Sequence, residues 1–145
     1  LGEAYLNYAE ALNESAPGSA DILVYLNKIR ERAGVRQYTT GVTDNDFIHV
    51  NLGDQAEMRE IIRAERRVEL CCEGIRYDDL RRWKEAETVL NGTFYGMNFN
   101  GRNSTEFYVR TAYQERVYKK AFYRFPIHQD EIYKNDNLVQ NPYWK

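Results

Sequence analysis

The constellation of side chains in this sequence that could do chemistry at a fixed spacing lies between Arg63 and Trp83. The run reads Arg63-Ala-Glu65-Arg66-Arg67-Val-Glu69-Leu70 and continues as Glu73-Gly74-Ile-Arg76-Tyr77-Asp78-Asp79-Leu80-Arg81-Arg82-Trp83. Acids and bases this dense can serve proton transfer or ion pairing. Proton transfer of the glycosidase kind needs two carboxyls held about 5 to 10 Å apart across a cleft. Asp78 and Asp79 are consecutive in a helical pattern, so their carboxylates point apart. Neither His49 nor His128 has a partner at ligand spacing, no two cysteines stand at C-x-x-C spacing, and the zinc-protease helix signature is missing. Ser15, Ser19 and Ser104 lack the context of an activated nucleophile, and no glycine-rich loop opens a helix after a strand to cradle phosphate. The sequence therefore predicts no catalytic residue, no metal site and no cofactor.

Ion pairing fits the spacing better. At about 100° per residue, Glu65 and Glu69 fall within roughly 20° of the direction of Met58, inside the stripe formed with Ile61, Ile62 and Cys72. A bare carboxylate in an apolar stripe is strongly disfavoured, so the fold must supply partners. Arg30, Arg66, Arg76 and Arg82 are the candidate guanidiniums, with tyrosine hydroxyls as a second source. The expectation is a structural network that locks helices together, made of Glu65, Arg66, Glu69, Glu73, Arg76, Asp79 and Arg82. Structural networks perturb charge as catalytic ones do, so the pattern alone does not mark an active site. Both Glu65 and Glu69 are expected to be largely buried, and alanine at either to cost about 3 to 5 kcal/mol.

The elements that must position these residues are helical. Leu1, Ala4, Tyr5, Tyr8, Ala9 and Leu12 keep one helical face, and Pro17-Gly18 ends that helix. Ser19 or Asp21 can cap a second helix with the stripe Ile22, Leu26, Ile29 and Ala33, closed by Gly34. Residues 35–53 lose periodicity and carry Gly41, Asn45, Asn51 and Gly53, which predicts a long connecting loop with room for one short turn. Asp54 and Glu57 form a capping box for a third helix, whose stripe Met58, Ile61, Ile62, Val68 and Cys72 runs as far as Gly74. A fourth helix is expected from Ile75 to Leu90, ended by Asn91-Gly92.

After residue 90 the character changes. The last fifty-five residues hold thirteen of the twenty aromatics and little helical period. Phe107 to Val109 and Val117 to Phe125 read as strands, with Gln114-Glu115 near a turn, and a short helix is expected from about Gln129 to Lys134. Flat rings and Asn or Gln amides suit sugar faces and hydroxyls, but core packing is the simpler role for each single ring, and a Tyr-rich protein interface is a third. The expected architecture is mainly α, with helical hairpins and an irregular, aromatic-rich region containing short strands. One domain covers residues 1–145, helical over 1–90 and irregular over 91–145.

Composition narrows the function classes. Net charge is -2 with 29% charged residues, without the broad basic footprint that nucleic acid requires. No stretch approaches the roughly 20 apolar residues of a membrane span. Cys71 and Cys72 are adjacent in a helical pattern, where neighbouring side chains diverge, so they are expected reduced, buried and unbridged. Leu1 opens on a helical pattern with no N-cap before it, so the chain is expected to be a fragment.

The segment Glu65, Arg66, Arg67, Glu69, Leu70, Glu73, Gly74, Arg76, Tyr77, Asp79, Leu80, Arg81, Arg82, Trp83 resembles the E-R-R-x-E-L-x-x-E-G-x-R-Y-x-D-L-R-R-W pattern of the C-terminal region of the SusD/RagB family. Upstream, Glu3 to Asn13 and Leu26-Asn27-x-Ile29-Arg30-x-Arg32-Ala33-Gly34 are similar to the family's preceding helical pair. Downstream, Phe125-Pro126-Ile127, Glu131-Ile132 and Asn137-x-x-Gln140-Asn141-Pro142-Tyr143 resemble its terminal signature, with His128 where many members have proline.

The resemblance implies tetratricopeptide-like helical pairs and a surface-exposed lipoprotein of the outer membrane. Its anchor would lie upstream, so that neither Cys71 nor Cys72 serves. It implies a non-enzymatic glycan-binding component of polysaccharide or oligosaccharide uptake, starch binding included, with a SusC-like TonB-dependent transporter as partner. The oligosaccharide would be bound mainly by the upstream part, so carbohydrate-binding residues stay unassigned and this chain alone is expected to bind far more weakly or not at all. The alternative is a helical-repeat scaffold or protein-interaction module with no glycan ligand.

Overall fold

A computed structural model describes residues 1–41 and 46–144, so Asn45 of the expected loop lies outside the described residues. The chain forms two compact units, Leu1–Arg76 and Tyr77–Lys145. The division falls before the change in composition near residue 90, because the second unit takes its first helix from the end of the Arg63–Trp83 run.

The first unit is built on three helices, α1 (Gly2–Ser15), α2 (Asp21–Ala33) and α3 (Gln55–Glu69), with α1 packed on both others. Their stripes meet in one core of Leu6, Ala9, Ile22, Leu26, Ile29, Val50, Met58, Ile62 and Leu70. Each large apolar side chain buried there contributes about 1.5 to 3 kcal/mol. Gly34 ends α2 at φ 68, a left-handed cap open to glycine without strain. The start of α2 differs from expectation, since Ala20 is the N-cap residue and no side chain caps it. Asp54 does cap α3, accepting from the N–H groups of Ala56 and Glu57. The Glu57 carboxylate instead accepts from the Asn51 N–H, so the expected box is half made.

Two further expectations fail here. Residues 35–53 are not all loop, because β1 (Gln37–Thr39) and β2 (Phe47–His49) pair in parallel. The Asn27 amide orders β1, donating to the Tyr38 carbonyl at 2.8 Å and accepting the Tyr38 N–H at 2.7 Å. α3 stops at Glu69 rather than Gly74. Val68, about 80° from Met58 on the wheel, is 75% exposed. Cys71 and Cys72 then fall in a turn, exposed, with Cys72 at φ 69 and the thiols 3.7 Å apart. A turn removes the helical divergence that predicted buried and separated thiols.

The second unit holds short elements: α4 (Arg76–Arg82), which opens on the last residue of the first unit, α5 (Ala86–Val89), β3 (Gly92–Gly96), α6 (Ser104–Phe107), β4 (Thr111–Arg116), a 3-10 turn (Lys120–Tyr123) and α7 (Gln129–Lys134). The expected helix over 75–90 is broken at Lys84, which sits at φ 63. β3 and β4 are antiparallel, with a bulge between Phe94 and Tyr95. Phe107 ends a helix instead of opening a strand, and Gln114-Glu115 lie inside β4. The cause is an Asn N-cap: Asn103 accepts the Glu106 N–H, and the Glu106 carboxylate accepts from the Arg102 N–H and the Asn103 side-chain amide. The core of this unit is Leu80, Ala86 and Tyr118, with Trp83, Leu90, Phe122 and Tyr123 packed against it.

Candidate functional site

The charged residues singled out in the sequence divide between the units. In the first, Arg30 of α2 reaches across to the Glu65 carboxylate, to the Tyr38 hydroxyl and to the Arg36 carbonyl, while its guanidinium stacks over the Tyr38 ring at 4.3 Å. Tyr38 in turn donates to Glu65 at 2.8 Å. The Arg30 and Glu65 side chains are only 12% and 14% exposed. Glu69 pairs with Arg32, a partner outside the candidate set and 63% exposed. Arg66 is buried among the apolar residues of α3 and turns to α1, donating to the Asn7 side chain at 2.6 Å with the Glu10 carboxylate 3.7 Å away. In the second unit Arg82 and Asp79 form a pair at 2.9 Å, three residues apart on α4. Glu73 is exposed and Arg76 is half-buried at the head of α4.

In the first unit these pairs tie α3 to α1 and α2. Their chemistry does leave a titration signature. Burial, then the hydrogen bond to Glu65, pushes the Tyr38 hydroxyl up to about 12. A folded value above the unfolded one of about 10 means the protonated ring stabilises fully below about pH 10, and that stability is lost as pH rises through 12. Discounted for solvent at a half-buried ring, the loss is about 1 to 2 kcal/mol. Urea unfolding at about pH 9 and about pH 11.5 should therefore show a larger drop in the wild type than in Tyr38→Phe. Equal drops would show that Tyr38 carries none of the alkaline sensitivity.

A cleft of about 420 Å³ lies in the second unit, lined by Lys84, Glu87, Lys120, Ala121, Tyr123, Arg124, Pro142 and Tyr143. Its base is fixed. Tyr123 packs on the core, its hydroxyl accepts the Glu87 N–H at 3.1 Å, and its carbonyl accepts from Arg81 at 2.9 Å. Asn91 holds the chain on the other side of the core, bonding both the N–H and the carbonyl of Tyr118. The wall carrying Pro142 and Tyr143 is pinned by side-chain amides. Gln140 pairs with both backbone groups of Ile127 at 2.8 Å, as a neighbouring strand would, and Asn141 donates to the Phe125 carbonyl at 2.7 Å. Trp144 stacks near Phe122 and donates to the carbonyls of Ala121 and Arg124.

The sequence profile of the SusD family matches residues 1–144. The chain belongs to the SusD family. Among curated SusD-like relatives, SusD-like protein P2 of Formosa agariphila is 31% identical over 142 residues, 96% of this chain and 24% of that protein. Among solved structures, BT4246 superposes with a TM-score of 0.78 at 31% identity, covering 99% of this chain and 23% of its own. A SusD-like protein from Bacteroides fragilis gives 0.76 at 30% identity, covering 99% and 25% respectively. The chain thus spans about a quarter of the length of the SusD-like proteins it matches. The mainly α fold with short strands is the one these SusD-like neighbours share.

For this SusD-family chain, sequence reasoning missed Arg32 and Tyr38 in the first unit and every residue of the cleft in the second. Lys84, Lys120 and Tyr143 are far apart in sequence and carry no periodic signal. The readable hint was the Gln140-Asn141 pair, whose amides hold the Tyr143 wall in place.

Proposed function

We propose that the protein to which this chain belongs is a glycan-binding component of an outer-membrane nutrient uptake system and is not an enzyme. Residues 1–145 act as its C-terminal part, and captured oligosaccharide passes to a SusC-like TonB-dependent transporter. The protein stands at the cell surface as a lipoprotein, anchored through a residue other than Cys71 or Cys72. No helix among the described residues is long and apolar enough to cross a membrane.

The observation that carries this reading is the cleft of the second unit. Two exposed or half-exposed tyrosine rings, Tyr123 and Tyr143, stand with hydrogen-bonding side chains around a concave floor. Such a mix of a few ring faces and convergent polar groups is what a sugar needs for stacking and for its hydroxyls. A quarter of the relatives' length offers only part of a pocket, so binding by this chain alone is expected to be weak, with Kd on the order of 1 mM or above. Titration of the isotope-labelled chain with a panel of oligosaccharides, followed by NMR, should shift the resonances of Tyr123 and Tyr143 first. Unmoved resonances at about 10 mM sugar across the panel would remove the cleft from this reading, and release of reducing sugar would refute the non-enzymatic one.

A further inference from the structure

The charges of the cleft say more than its rings. Lys84, Lys120 and Arg124 line it against a single carboxylate, Glu87, leaving two net positive charges around about 420 Å³. Among the described residues none of the three cations is held in an ion pair, although arginines elsewhere in the chain are. Lys84 and Lys120 rest over ring faces instead, with Nζ 4.9 Å from the Tyr123 centroid and 5.2 Å from the Tyr143 centroid. A ring face steadies an ammonium without neutralising it, so its charge remains available to an incoming anion.

Backbone conformation points to the same place. Only three non-glycine residues among those described have positive φ, and two of them, Lys84 at φ 63 and Tyr143 at φ 70, line this cleft. Left-handed backbone is disfavoured for lysine and for a bulky ring, and such outliers gather where a side chain must be aimed at a ligand. The aim here places one cation and one ring at opposite ends of the sequence of this unit, each beside its aromatic or cationic counterpart from the 3-10 turn. A neutral sugar would need the rings and has no use for three unpaired cations.

We infer that the cleft of the second unit binds an acidic sugar unit, its carboxylate or sulfate held by Lys84, Lys120 and Arg124 and its ring face lying against Tyr123 or Tyr143. This rests on the glycan-binding reading and adds the chemical class of the ligand. Glu87 works against a second negative charge near Lys120, which favours one anionic group per sugar over two.

The test uses this chain with three probes of similar length: tetragalacturonic acid, its methyl ester, and a singly sulfated galactan tetrasaccharide, with inorganic sulfate alone as a control. At about 50 mM salt the acid or the sulfated probe should bind about tenfold tighter than the ester, and the advantage should shrink at about 500 mM salt. Whichever of the two binds tighter identifies the anion. In Lys120→Met/Arg124→Met, both exposed positions, the advantage over the ester should fall to about one. Circular dichroism checks that the variant is folded, and the wild-type ratio stands by itself if it is not. Equal binding of acid, sulfated probe and ester would overturn the inference while leaving glycan binding intact. No binding of any probe would overturn the inference and remove the cleft from the glycan-binding reading. An advantage that survives the double substitution would place the anion elsewhere and sink the assignment, as would inorganic sulfate matching the sulfated sugar.

Discussion

Replacing Glu65 with alanine is expected to destabilise the first unit by about 3 kcal/mol, lowering its melting temperature by roughly 15 °C. The substitution leaves the Arg30 guanidinium 12% exposed without its carboxylate. The Arg36 carbonyl and the Tyr38 ring still hold Arg30, which places the effect at the lower end of the range for broken buried pairs. The Tyr38 hydroxyl loses its acceptor as well. Glu69→Ala, which looked equivalent on the helical wheel, should cost under about 1 kcal/mol, because its partner Arg32 is 63% exposed and is resolvated. Removing both charges, as in Arg30→Met with Glu65→Leu, should recover most of the loss, since a well-packed apolar pair can replace a buried ionic one. Differential scanning calorimetry on the four proteins decides it. A Glu65→Ala protein that melts within about 2 °C of wild type would show that the pair holds nothing together.

Leu26→Ala should be as damaging through a different cause. Leu26 is fully buried in the nine-residue core that α1, α2 and α3 share. Deleting its isobutyl group removes transfer free energy and leaves a cavity that helices tied by charge pairs and amides cannot close. The expected cost is about 3 kcal/mol, within the 2 to 5 kcal/mol measured for such truncations. The reciprocal amides of Asn13 and Gln55, at 2.9 and 3.0 Å, are one of those ties. Urea unfolding should show the midpoint falling at unchanged slope. Val68→Ala on the exposed edge of α3 is the control, expected within about 0.5 kcal/mol of wild type. A Leu26→Ala protein as stable as that control would mean the core is not where unit stability resides.

The helices of the first unit that were legible in the sequence share one property: a periodic apolar stripe between two punctuating residues. α1 between its start and Pro17-Gly18, α2 up to Gly34, and the opening of α3 at Asp54 all have it. α7 was readable from its short polar run before an Asn-rich coil. Glu65, its side chain 14% exposed, was readable too, because its place in the stripe demanded a partner, and Arg30 was among those offered. The partner of Glu69 was not, since Arg32 is polar on an exposed face and nothing local marks it.

Beyond residue 70 stripes give way to single contacts, and local propensity was overruled. Aromatic and β-branched residues at Phe107 to Val109 and Val117 to Phe125 resembled strands, yet Asn103 and Glu106 capped a helix over the first and a 3-10 turn occupied the second. The true strands, β3 and β4, are exposed along most of their length, so neither shows the alternation that would have announced it. The cleft was invisible for a related reason. The wall carrying Tyr143 is held by amide-to-backbone bonds from Gln140 and Asn141, and such bonds have a geometry but no period.

The left-handed backbone at Lys84 and Tyr143 also bears on how this region could change over generations or in the laboratory. Glycine or asparagine at either position would relax the chain by about 1 to 2 kcal/mol, so a screen for thermal resistance would drift toward them. Each such gain would strip the cleft of a cation or a ring. Under the proposed glycan-binding role, stability and ligand capture pull these two positions in opposite directions, and a hardened variant selected without sugar present would be expected to bind sugar less well.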